Sequence, residues 1–166
     1  MILWLQVVGS TASWTALYFI IKHLWRFEPE PTSRIVAAIH GLAATIFSGI
    51  ALATGPWPFT DPGGPNTPQQ LATLSVCLGY FIYDLGWCLC HQTEGVTMLA
   101  HHMISIIAIT RVMMKGFSGA EASAGAGGLE CTNPLLQLRW FIRKAGYKEH
   151  FIYKVVELTF MVMFME

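Results

Sequence analysis

The chain has 166 residues, of which 54% are hydrophobic and only 12% are charged. Soluble domains carry about 25% charged residues, so this composition excludes an ordinary soluble globule and an intrinsically disordered chain. Ten basic residues balance ten acidic residues without a basic cluster, which predicts that no nucleic acid is bound. What remains is an integral membrane protein with one domain's length of chain.

Four predominantly apolar segments are each long enough to cross about 30 Å of hydrocarbon. They are residues 2–21, 35–54, 70–91 and 96–114. Residues 22–34 contain three basic residues and are predicted to be a cytosolic loop by the positive-inside rule. Residues 55–69 contain five of the eight prolines and no basic residue, so they predict a loop on the lumenal or external side, where the N-terminus also lies.

The last third of the chain predicts two further helices. Residues 119–142 favour a fifth span kinked at Pro134, with a re-entrant segment or a lumenal loop followed by a short helix capped by Thr132 as the alternatives. Residues 150–166 begin a sixth apolar helix and end inside it. The sequence therefore predicts an all-α integral membrane protein, a bundle of about six transmembrane helices whose last helix is incomplete.

Four ionisable side chains lie at a similar depth within the predicted spans. Such groups cost about 2.5–3.5 kcal/mol each to insert, so they indicate a functional interior. At a rise of about 1.5 Å per residue, His40, Asp84, His101 and His102 all lie roughly 8–11 Å below the same membrane face. A buried polar network that only fixes helix packing is the alternative. Four groups at one depth favour a cavity, in which His101, His102 and Asp84 are the candidate catalytic residues.

Further polar residues are predicted to line the same cavity. They are His40, Tyr80, Ser105, Glu130, Asn133 and Arg139. Tyr80 and Ser105 each lie one helical turn from the groups at the common depth. Pro134 removes the amide that would bond the carbonyl of Glu130, and Arg139 lies more than two turns away. Each of these two charged residues therefore needs a partner on another helix, or water.

The cysteine and histidine patterns predict no metal and no cofactor. The four cysteines have no CxxC spacing and are interpreted as small apolar residues. The six histidines are too few and too scattered for the HxxxH-type spacing of a di-iron hydroxylase.

Four ordered motifs resemble the TLC domain family, the multi-span lipid-related proteins that include the ceramide synthases. They are His40 followed by Gly41, GYFIYDL from Gly79 to Leu85, the pair His101–His102, and ECTNPLLQLRW from Glu130 to Trp140. The resemblance covers essentially the whole chain and implies a single TLC-like transmembrane domain over residues 1–166. Family members usually continue through a further span and a cytosolic tail, so this chain is expected to lack both. Such a truncation is expected to leave Glu130 and Arg139 facing lipid or water.

The resemblance implies two possible functions. The first is a protein that binds or senses membrane lipids and regulates lipid composition. The alternative is a ceramide-synthase-like acyltransferase acting on acyl-CoA and a sphingolipid precursor, with His101 or His102 as base or acyl acceptor and Asp84 orienting it. Ceramide synthases also carry aspartates downstream of the histidine pair, whereas both aspartates here lie upstream of it, which favours the first. The endoplasmic reticulum and the plasma membrane both remain open as the location.

Overall fold

The computed structural model describes residues 2–92 and 94–165, with side chains up to Met163. Over these residues the chain forms seven α-helices and no β-strand. The helices are α1 (Ile2–Trp25), α2 (Pro29–Thr54), α3 (Pro68–His91), α4 (Val96–Lys115), α5 (Gly119–Glu130), α6 (Asn133–Lys144) and α7 (Phe151–Met165). The all-α prediction is confirmed. The final residue of the predicted sixth helix, Glu166, lies outside the described residues.

The first connection is shorter than predicted. Helix α1 continues to Trp25 and α2 already begins at Pro29, so most of the predicted loop 22–34 is helical. Proline is tolerated in the first turn of a helix because the amide it lacks would have no intrahelical partner there. The proline-rich segment is a loop as predicted, and it ends at a capping box in which Thr67 and Gln70 bond each other's backbone amides.

The predicted fifth span is broken into two helices of 12 residues each, α5 and α6. The break falls at Cys131 and Thr132, next to the predicted kink, and Thr132 holds the N-cap position of α6. Pro134 therefore lies in the first turn of α6, where its missing amide costs no intrahelical hydrogen bond. The kink expected inside one helix is thus a boundary between two.

Helix α3 lies at the centre of the bundle, in contact with α1, α2, α4 and α5. Its inner residues Leu74, Cys77 and Leu78 are essentially inaccessible to solvent and form the core with Val36 and Ala44 of α2. On the other side α2 packs against α5 and α6, and α7 packs against α6.

The outer surface is apolar and several polar groups are inside, which is the reverse of a soluble protein. Ile46, Ile104, Met114 and Leu158 are among many large apolar side chains on the outside, whereas His40 is fully buried. Three helices, α2, α3 and α4, are long and apolar enough to cross a membrane. These features are consistent with a membrane protein, and the count of six spans stays a prediction.

Contacts between connections define two ends of the bundle. At one end Arg34 Nη2 lies 3.1 Å from Glu94 Oε1, which joins the start of α2 to the connection between α3 and α4. At the other end the proline-rich loop meets the connection between α4 and α5. There the backbone N–H of Asn66 donates to the backbone carbonyl of Gly116 at 2.9 Å. Trp140 of α6 lies under Arg34 at 4.6 Å, so the basic end of α6 shares the first end. The orientation of these ends across a membrane stays a prediction.

Candidate functional site

A cavity of about 620 Å³ lies between α2, α3, α4, the break between α5 and α6, and α7. Six of the predicted site residues line it: Tyr80, Asp84, His101, His102, Glu130 and Asn133. Its other walls are largely apolar, with Ala37, Met98, Leu129 and Leu136 among them. Three of the four groups predicted at a common depth, Asp84, His101 and His102, therefore border one space, whereas the prediction that His40 lines it is wrong, because aromatic rings enclose that side chain.

A close pair of ionisable groups in the cavity is formed by His102 of α4 and Asp84 of α3. His102 Nε2 lies 3.1 Å from Asp84 Oδ2, and both residues are buried. Among the described residues, neither ring nitrogen of His102 has a hydrogen-bond partner. The second carboxylate oxygen of Asp84 accepts a long hydrogen bond from Ser33 Oγ, at 3.5 Å. Two polar groups thus face each other without mutually satisfying their hydrogen-bonding capacity.

His40 lies in an aromatic enclosure beside the cavity. Its ring stacks on Tyr80 with a centroid distance of 3.6 Å, and Trp14 of α1 meets it edge-on at 5.5 Å. His40 Nε2 is 3.8 Å from Glu130 Oε2, which is an ionic contact distance but too long for a hydrogen bond. Glu130 Oε2 accepts instead from Asn133 Nδ2 at 2.9 Å. The partner of His40 is therefore Glu130 of α5.

The ring of Phe81 lies between the pair His40–Glu130 and the pair His102–Asp84. The centroid of Phe81 lies 5.7 Å from that of His40, 5.8 Å from that of His101 and 5.9 Å from that of His102. His101 is half-buried, whereas His102 is only 4% exposed, so the adjacent histidines occupy different environments. The structure thus brings the predicted histidines around one aromatic side chain, with Asp84 against His102.

Close contact between α2 and the α5–α6 break depends on Gly41. A Cβ atom at this position would lie 2.9 Å from Pro134 Cδ and 3.0 Å from both Asn133 Cβ and the Glu130 carbonyl oxygen. Only a glycine allows this approach without displacing its neighbours. The approach is what brings Glu130 alongside His40, one residue before Gly41.

A chain of hydrogen bonds leads from one end of the cavity to Glu130. Arg34 pairs with Glu94 and donates through Nη1 to Gln137 Oε1 at 3.3 Å. Gln137 Nε2 donates to Asn133 Oδ1 at 2.7 Å, and Asn133 donates to Glu130. Arg34 was predicted only as a basic residue of a loop, and Gln137 was not predicted as a site residue. Gln137 lies four residues after Asn133 on one helix, a spacing that predicts contact between the two side chains.

Ser105 and Arg139 do not line the cavity. Ser105 is half-buried on α4. Arg139 turns towards α7, where its Nη2 lies 2.8 Å from Glu157 Oε1. The expectation that Glu130 and Arg139 lack a partner is wrong, because His40 and Glu157 lie against them, although about a third of the Arg139 side chain stays exposed.

Cys88 lies beside the pair formed by His102 and Asp84, so three side chains that could bind a metal ion lie together. It follows Asp84 by one turn on α3 and also lines the cavity. The carboxylate oxygen, the thiol sulfur and the imidazole nitrogen of the three residues all lie within 4.8 Å of one another, and all three residues are buried. Sequence analysis placed Cys88 among the structural cysteines, since the ligand from α4 is visible only after folding.

Comparison with known proteins agrees with the motifs around this cavity. The sequence model of the TLC domain matches residues 3–165 and so includes every residue that lines the cavity. No solved structure gives a significant match. The family is generally related to membrane lipids. With a match over nearly its whole length, the chain belongs to the TLC domain family.

Proposed function

We propose that this chain is a multi-pass membrane protein that binds membrane lipids in the cavity between α2, α3, α4 and α6 and thereby regulates lipid composition. The cavity itself carries the proposal. Its volume of about 620 Å³ is in the range of small-molecule sites, and its lining combines a mostly apolar surface with many converging polar groups. Within the family, the segments Gly55 to Phe59, Leu78 to Trp87 and Thr132 to Phe141 resemble TLC domain-containing protein 5, and we propose that branch.

The distribution of polar groups supports an amphipathic ligand. One end of the cavity is lined by Arg34, Glu94 and Gln137. This is the end of the bundle where the start of α2 meets the connection between α3 and α4. Leu129 and Leu136 supply apolar wall. A lipid can place its polar head near Arg34 and its chain along the leucines, so that neither part is transferred to an unfavourable environment.

A photoreactive lipid analogue provides the test of lipid binding. The purified chain in nanodiscs is crosslinked with a phospholipid that carries a diazirine on its acyl chain, and labelled peptides are mapped by mass spectrometry. Labelling is expected on peptides that line the cavity. Thr97→Trp, which adds bulk at a lining residue, is expected to reduce it, whereas Ile104→Trp on the outer face of α4 is the matched control. Equal labelling of both variants, or labelling of the outer surface alone, would contradict the proposal.

The consequence for lipid composition is tested in cells. Lipid profiles are compared with and without the protein, and rescue is attempted with the native chain and with His102→Ala. Rescue by the native chain alone is expected. Full rescue by His102→Ala would show that the polar groups of the cavity are dispensable.

Acyl transfer is the second candidate, favoured by the 3.1 Å approach of Asp84 to His102. With the carboxylate against Nε2, Nδ1 of His102 is the nitrogen left to take a proton or an acyl group. Incubation with acyl-CoA and a sphingoid amine, followed by intact-mass analysis, is expected to show an acylated chain or an N-acyl product, and Asp84→Asn is expected to slow its formation. Absence of both species over a long incubation would exclude this chemistry.

A further inference from the structure

Three side chains with metal-binding atoms converge in the wall of the cavity. Asp84 and Cys88 are one turn apart on the same face of α3, and His102 reaches them from the neighbouring helix α4. Their ligand atoms all lie within 4.8 Å of one another. Two ligands on one helix face and a third from an adjacent helix can surround a single ion.

The contact between His102 and Asp84 has a geometry that two ligands of one ion can adopt. His102 Nε2 and Asp84 Oδ2 are 3.1 Å apart, yet no hydrogen bond joins them. In a tetrahedral zinc site, nitrogen and oxygen ligands at about 2.0–2.2 Å from the ion lie about 3.4 Å from each other. Ser33 donates to the other oxygen of Asp84, as outer hydrogen-bond partners of ligating carboxylates do.

Charge balance supports the same conclusion. A divalent ion would balance the Asp84 carboxylate and a Cys88 thiolate to zero net charge, after the thiol proton leaves through the cavity. Nitrogen, oxygen and sulfur together favour a borderline metal such as zinc over calcium or magnesium, which prefer oxygen alone.

We propose that Asp84, Cys88 and His102 bind one zinc ion, with the fourth coordination position directed into the cavity. All three residues line that cavity, so the fourth ligand is water or an oxygen atom of a bound lipid. This site departs from the expectation from sequence that no metal is bound. The zinc proposal does not depend on lipid binding, because zinc binding is measured directly.

Metal titration of the full chain in nanodiscs tests the proposal. After treatment with a chelator, the protein is titrated with Zn²⁺ against a chromogenic competitor and, separately, with Co²⁺. One ion per chain is expected, and Co²⁺ is expected to give the visible bands of tetrahedral coordination and a thiolate charge-transfer band. Cys88→Ser is expected to remove that charge-transfer band and weaken Zn²⁺ binding at least about tenfold, given that loss of an outer partner alone costs 10–100-fold. Cys90→Ser, two residues further on the same helix, is the matched control and is expected to change neither.

A second pair of variants separates the two histidines. His102→Gln is expected to weaken Zn²⁺ binding at least about tenfold, whereas His101→Gln is expected to leave it unchanged. Equal affinity for Cys88→Ser and Cys90→Ser, or a cobalt spectrum without tetrahedral bands, would overturn the proposal and leave His102 and Asp84 as a pair without metal.

Thiol protection keeps the test valid even if a ligand variant fails to fold. Cys77, Cys90 and Cys131 are changed to serine, so that Cys88 is the single thiol and the three proposed ligands stay intact. A small maleimide is expected to react with Cys88 at least about tenfold more slowly in the presence of Zn²⁺. An unchanged rate would overturn the proposal.

Discussion

Replacing Gly41 with alanine tests how far the site depends on close packing between α2 and the α5–α6 break. The added Cβ would lie 2.9 Å from Pro134 Cδ and 3.0 Å from the Glu130 carbonyl oxygen, where ordinary contacts are 3.4–4 Å. A proline ring and a backbone carbonyl cannot swing aside as the end of a flexible side chain can. The two segments must therefore separate by about half an ångström, which moves Glu130 away from His40.

The expected cost follows from two opposing effects. Forcing an extra carbon into a packed interior destabilises by about 1–3 kcal/mol. Alanine in place of glycine inside a helix stabilises by about 0.5–1 kcal/mol. The free energy of unfolding of Gly41→Ala is therefore expected to fall by about 1 kcal/mol, within a range of about 0–2.5 kcal/mol. Gly49→Ala is the matched control on the same helix, because nothing lies within 4 Å of the added Cβ, and it is expected to be neutral or slightly stabilising.

The assay is unfolding of the purified chain in mixed detergent micelles, followed by helical circular dichroism. A double-mutant cycle with Pro134→Ala attributes the cost to the contact itself. Removing the proline ring is expected to lower the cost of Gly41→Ala by at least about 0.5 kcal/mol. If Gly41→Ala and Gly49→Ala unfold alike, the close approach does not limit packing and this reasoning is refuted.

Three other features of the molecule are open to equally direct tests. Gly79→Ala is expected to loosen the contact between α3 and α1 and to lower the free energy of unfolding, whereas Gly86→Ala on the same helix meets open space and is expected to be harmless; a reversed order would contradict this. Arg139→Gln is expected to lower the free energy of unfolding by about 0–1 kcal/mol, because its partner Glu157 is partly exposed. A larger coupling energy in a double-mutant cycle of the two residues would contradict this expectation. A cysteine introduced at Gly64 is expected to react with an impermeant thiol reagent on the external or lumenal side, and reaction from the cytosolic side alone would reverse the predicted orientation.

The sequence alone predicted an all-α protein of the TLC domain family and polar groups at similar levels of neighbouring helices. Apolar segments of sufficient length predict helices with bounds close to those of α3 and α4, because hydrocarbon requires every backbone amide to be bonded within its own helix. Depth along a helix follows from the rise per residue, so the common level of His40, Asp84 and His102 was predictable. The proline-rich loop was equally predictable, since proline ends regular helices.

The tertiary structure decided which groups meet at that level. Rise per residue says nothing about the rotation of one helix against another, and rotation is set by contacts such as that of Gly41 with Pro134. Hence the sequence could not predict that Glu130 would lie beside His40 while Asp84 lies beside His102.

The same limit applies to the groups that sequence reasoning placed wrongly or overlooked. Arg139 was expected in the cavity and instead pairs with Glu157, because α7 packs against the outer side of α6. Cys88 comes close to a side chain of another helix with metal-binding atoms only once α4 brings His102 against α3. Partners on different helices are chosen by packing of the whole bundle, and no spacing within one helix contains that information.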